Sequence, residues 1–147
     1  MGTLFEILLG APLSAESRTR ALQTMIGDRP AREAAEMLRW GAAHNTEKSG
    51  ALLAALAIFV VVDTFLLEHG WTRTPTLISL FLLLAATLVL ITNLRSTMRA
   101  WQQRDTAATH IHIWDMIVSR TIRFNIALYS TFLAIIMLAF AAAENVF

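Results

Sequence analysis

Three of the four tryptophans, Trp40, Trp101 and Trp114, stand near Arg39, Arg99, Arg104 and Arg120 in the chain. Flat rings beside fixed positive charge can stack a base and neutralise a phosphate. The same side chains equally make an aromatic belt and bind anionic lipid at a membrane surface. The candidate ligand-binding set is Trp40, Lys48, Arg99, Trp101, Arg120 and Arg123. Asp63 is a candidate of another kind, the one acid well inside an apolar stretch. An ionised carboxylate at mid-membrane costs about 2.5 to 3.5 kcal/mol on insertion scales. Asp63 therefore either lines a pore or senses protons, or it bonds Thr64 or a neighbouring helix, or it reaches headgroups near Glu68. His110 and His112 lie two apart, which on a helix turns them to different faces, and no acid or cysteine completes a zinc set. His112 shares a face with Asp115, which suits an ion pair or helix packing. No Ser/His/Asp or paired-carboxylate arrangement faces one cavity. Catalytic residues, metal and cofactor are thus not expected, and the chain is not read as an enzyme.

Composition decides what kind of elements position these side chains. Of 147 residues, 56% are hydrophobic and only 16% charged, with a mean hydropathy of +0.55, more oil than a water-soluble domain of this size hides. The net charge of +1 gives no whole-molecule argument for nucleic acid, and the absence of cysteine excludes a disulfide scaffold. Residues 74–94 and 124–143 are free of Asp, Glu, Lys and Arg, and each is long enough to cross a hydrocarbon core of about 30 Å as a helix. Residues 50–67 form a third such stretch, joined to the second by Gly70-Trp-Thr-Arg-Thr-Pro75, a turn with Gly after one helix and Pro opening the next. Three segments cannot close a barrel, so lipid leaves only helices. The expected fold class is an all-α membrane protein with three transmembrane helices and cytoplasmic helical extensions. Its divisions are an N-terminal helical segment (1–49), a transmembrane hairpin (50–94), a helical loop (95–123), and a third span with a short outer tail (124–147).

Positive charge sets the expected orientation. Six Lys and Arg precede the first span, one (Arg73) lies in the hairpin turn, five lie between the second and third spans, and none follows. The positive-inside rule puts the N-terminus and the 95–123 loop in the cytoplasm. The apolar patch Leu4, Phe5, Ile7, Leu8, Leu9 lacks a positive n-region and is expected to be a short helix on the membrane surface. Ser14 can cap a helix with the stripe Leu22, Met25, Ile26 that stops at Gly27, and Pro30 opens a second that runs unbroken into the first span. In that second helix Ala34, Leu38, Gly41 and Asn45 form one narrow face. In the loop, Ile111, Trp114, Val118 and Ile122 are spaced to form a stripe, and 105–109 is the expected reversal. Small residues four apart, Gly50 with Ala54, Ala51 with Ala55, and Ala127, Thr131, Ala134, allow close helix packing within or between protomers. Three thin helices bury little surface alone, so a homo-oligomer is expected.

A cytoplasmic helix, then residues 42–54 (AAHNTEKSGALLA) entering a two-span hairpin, a polar helical stretch, and Ser-Arg-Thr-Ile-Arg-Phe (119–124) opening a last span is an order that resembles the transmembrane effectors of bacterial Pycsar anti-phage systems. Lys48 at the mouth of the first span and Arg120 and Arg123 at the mouth of the last carry the likeness, which covers residues 31–143; Thr46-Glu47 departs from the acidic-then-small pair usual before that lysine. The resemblance implies an inner-membrane protein that damages membrane integrity when a cyclic pyrimidine nucleotide signals infection. The competing expectation, from the residues alone, is a non-catalytic accessory or scaffold subunit of a larger membrane complex.

Overall fold

The computed structural model describes residues 4–71, 73–94 and 106–146. Every regular element among them is an α-helix: α1 (Leu4–Leu9), α2 (Ala15–Ile26), α3 (Ala31–Glu68), α4 (Arg73–Leu94) and α5 (Thr106–Val146). Helices α3, α4 and α5 are long and apolar enough to cross a membrane. No proline interrupts α3, and it runs 38 residues, about 57 Å at 1.5 Å per residue. It stops where Gly70 takes φ +79°, a left-handed conformation open to glycine, and Pro75 then sits in the first turn of α4.

The three long helices share one period. Ala42, Ser49, Leu56 and Asp63 on α3 are buried seven residues apart. On α4 the buried positions are Thr76, Ser79, Leu83, Ala86, Leu90 and Asn93, alternating three and four apart. On α5 Ile113, Arg120, Ala127, Ala134 and Ala141 are again seven apart. A 3.5-residue repeat keeps one seam facing its neighbours, and along it α3 and α5 run in the same direction with α4 antiparallel to both. Asn93 touches both Ser49 and the backbone of Arg120, which sets the register. Seven residues further, Leu56, Ala86 and Ala127 make the next layer of the apolar core; seven more bring Asp63 beside Ser79, level with Ala134.

Packing is inverted relative to a soluble bundle. Phe81 is 76% exposed, and Ile58, Val61, Leu88, Phe132 and Phe140 also face outward, while Ser, Asp, Asn, Thr and Arg occupy core positions. Water would penalise such a surface, whereas hydrocarbon accepts it and drives polar groups inward. Of the small-residue faces, Ala127, Thr131 and Ala134 are buried against the other helices, but Gly50, Ala51 and Ala54 point out of the bundle.

Helix α4 ends at Leu94, and beyond it α2 takes the third place. Leu22 packs with Leu38 and Ile113, and Met25, Ile26 and Trp114 surround them. This changes the expected stripe on the inward extension of α5. Ile113 and Arg120 are buried, Trp114 and Val118 stay on the packed side, and Ile111 is 54% exposed. The reason is that α5 keeps its seven-residue seam toward α3 while α2 covers its flank. Residues 106–109 are helical, so the chain reverses outside the described residues.

Residues 4–26 strap onto α5. Ser14 caps α2 through the Ser17 amide at 3.0 Å. Trp114 Nε1 donates to the Arg18 carbonyl at 2.9 Å, and Arg18 reaches Asp115 at 3.4 Å. The last carbonyls of α1 have no helical partner; Tyr129 Oη donates to Leu8 O and Asn125 Nδ2 to Leu9 O. Gly10, at φ +61°, lets the chain pass so close that an added Cβ meets Asn125 at 3.1 Å. Because Asn125 and Tyr129 lie within the third span, α1 sits at the level of the lipid with Ile7 and Leu8 facing outward. Removing both donors, as Asn125→Ala with Tyr129→Phe, is expected to release α1. At about 1 kcal/mol per bond, amide exchange in Leu4–Leu9 rises about thirtyfold while the α3–α5 seam is unchanged. Exchange of α1 that stays at the wild-type rate refutes this anchoring.

Candidate functional site

Two polar layers interrupt the core. They lie fourteen residues apart on every helix, about 21 Å, with Leu56, Leu83, Ala86, Leu90 and Ala127 packed as an apolar plug between them.

The layer at the basic end is a hydrogen-bonded cluster. Asn93 Nδ2 donates to Ser49 Oγ at 3.1 Å and to the Arg120 carbonyl at 3.3 Å. Ser49 Oγ in turn donates to Asn45 O at 2.8 Å, Arg120 Nη1 donates to Thr46 Oγ1 at 3.1 Å, and Asn45 Nδ2 donates to Thr121 Oγ1 at 3.1 Å. Asn93 Oδ1 is buried and accepts no hydrogen bond among the described residues. Arg120 is 2% exposed. Arginine keeps its charge at neutral pH even in such a place, and Arg123 adds a second positive charge nearby. A buried charge is expensive to keep from water unless it is hydrogen-bonded, and Thr46 is one of the groups that serve it here. Beside it a cleft of ≈ 220 Å³ is lined by His112, Asp115, Met116, Ser119, Arg120 and Arg123. Asp115 pairs with Arg18 rather than with His112.

The layer near the α3–α4 turn contains Asp63, 0% exposed, with Ser79 beside it. Ser79 engages the carboxylate, but at a geometry short of a full hydrogen bond, so both carboxylate oxygens and Ser79 Oγ are buried and under-satisfied among the described residues. Thr64 does not serve Asp63, since its hydroxyl donates to Val60 O at 2.8 Å. Full burial inside the bundle also excludes a carboxylate reaching sideways to headgroups near Glu68.

The sequence-derived ligand set is divided by the fold. Arg120 and Arg123 line one cleft. Trp40 is 67% exposed on α3, stacked on His44 at 5.1 Å, and Lys48 is exposed further along the same helix. Arg99 and Trp101 lie outside the described residues. Among the described residues no group of three or more His, Asp or Glu could hold a metal ion. No family model matches the chain, and no curated protein or solved structure matches it either.

Ser49, Asn93, Thr46 and Ser79 belong to these layers and were not singled out from the sequence. Their signal is present as polar residues fourteen apart, Ser49 to Asp63 and Ser79 to Asn93. It was hidden because an uncharged Asn or Ser does not interrupt an apolar run.

Proposed function

We propose that the chain is an effector of the bacterial inner membrane, with its N-terminus and basic end in the cytoplasm. It breaks the permeability barrier when a cyclic pyrimidine nucleotide reports phage infection. The observation that carries this reading is the buried Ser49–Asn93–Arg120 layer, a charge and two polar groups sealed behind an apolar plug. Such a bundle is closed but stores a driving force for opening, since rearrangement into a homo-oligomer turns the same groups toward water. The cleft beside Arg120 and Arg123, with Ser119 and His112 on its wall, suits a phosphate. The nucleotide shifts the balance only by the amount it binds the open arrangement better than the closed one. No catalysis and no cofactor enter this scheme. The likeness to Pycsar transmembrane effectors over residues 31–143 supports it.

The outward face of Gly50, Ala51 and Ala54 favours a second reading, a subunit that presents a smooth helix to a larger membrane complex. Membrane potential separates the two. Cells overproducing the chain should depolarise when supplied with a cyclic pyrimidine nucleotide, and an Arg123→Glu variant should respond weakly. An unchanged potential with and without the nucleotide favours the subunit.

A further inference from the structure

We propose that Asp63 and Ser79 form a binding site for a single small cation, a proton or a bare alkali-metal ion, loaded from the turn end of the bundle. Both carboxylate oxygens and the facing hydroxyl are buried and reach no full hydrogen-bond geometry among the described residues; Ser79 is the side chain that engages the carboxylate, which leaves most of its acceptor capacity unfilled unless a further species completes it. That species is positive, because the carboxylate brings the one charge to this layer. The titratable groups near this end, Glu68 at the end of α3, His69 just after it, Arg73 on α4 and Glu144 on α5, are all exposed, so none of them faces Asp63 to neutralise it. The species is also small. Ala134 on α5 is 1% exposed and packed in the same layer, and the buried hydroxyls of Thr76 and Thr131 lie about one turn to either side. Oxygen donors of this kind suit a proton or a hard alkali ion rather than a transition metal.

The site lies near one end of the bundle. Asp63 is five residues from the end of α3 at Glu68, about 7.5 Å along the axis, whereas toward the basic end it meets the packed plug of Leu56, Leu83, Leu90 and Ala127. A cation therefore exchanges with the aqueous phase at the hairpin turn while the plug blocks passage. This inference stands whether or not the chain is an effector, because it concerns the closed bundle.

The test is labelling of the purified full chain in lipid nanodiscs with dicyclohexylcarbodiimide, an apolar reagent that adds to protonated carboxyls, read residue by residue by mass spectrometry. Asp63 is expected to label ahead of exposed Glu68, and Asp63→Asn to lose that label alone. If the occupant is a proton, labelling falls about tenfold per pH unit once the carboxyl is mostly ionised, and alkali salts at constant ionic strength do not change it. If it is an alkali ion, sodium or potassium salt slows labelling several-fold, and Ser79→Ala weakens that protection. Labelling of Asp63 that is no faster than that of Glu68, or that responds to neither pH nor salt, overturns the site. The wild-type measurement needs no variant to fold, and it does not depend on any nucleotide response.

Discussion

Replacing Arg120 with methionine is expected to make the closed bundle more stable and the protein inert. The guanidinium is buried against Thr46 inside the seam, and substituting a buried charge by an apolar chain of similar volume is neutral or stabilising by about 1 to 4 kcal/mol in favourable cases. Asn93 loses nothing directly, because it bonds the Arg120 backbone carbonyl, which methionine retains. If the strained charge is what opening relieves, the variant unfolds at higher temperature in detergent and no longer depolarises cells when the nucleotide is supplied. Lower thermal stability together with undiminished depolarisation would show that Arg120 is a structural anchor and that the stored driving force lies elsewhere.

The opposite behaviour is expected of Leu56→Asn. Leu56 is fully buried at the centre of the plug, seven residues from both Ser49 and Asp63. Asparagine there joins the two polar layers into one stripe along α3 and leaves a void where leucine filled the seam, at a cost of about 2 to 5 kcal/mol to the closed state. A loss of that size shifts the closed-to-open balance about thirtyfold or more. Proteoliposomes carrying the variant should leak ions without any nucleotide, while Leu88→Asn, a polar change on the outward face, should not. Equal leak from both variants would mean that the plug is not the barrier.

The extents of the helices were legible in the sequence because they depend on local rules. An uninterrupted apolar run, the absence of proline between Ala31 and Glu68, and Gly70 followed by Pro75 specify α3, the turn and α4 without reference to any other part of the chain. The strap of α1 and α2 was only half legible. Ser14, Leu22, Met25 and Ile26 mark a capped amphipathic helix, but the groups that fix it, Trp114, Asp115, Asn125 and Tyr129, lie about a hundred residues away, and no local pattern encodes such a pairing. Arg120 shows the other kind of failure. An arginine at the mouth of a span reads as an interfacial charge that snorkels to water, yet the seven-residue seam of α5 places it between Ile113 and Ala127 on the buried side. The four-residue spacing of small residues was equally ambiguous until the seam was known; Ala127, Thr131 and Ala134 lie on it, and Gly50 and Ala54 do not.

All of these expectations rest on a bundle with lipid outside and a sealed seam within. The chain has no cysteine, so a single one can be placed at will, labelled with a nitroxide, and probed in nanodiscs with oxygen, which concentrates in lipid, and with a water-soluble nickel chelate. Phe81→Cys and Leu88→Cys should respond strongly to oxygen and weakly to nickel, and Ala86→Cys, on the same helix but in the plug, should respond little to either. A nickel response at Phe81 or Leu88 that exceeds the oxygen response would contradict a lipid-facing surface, and with it the account as a whole.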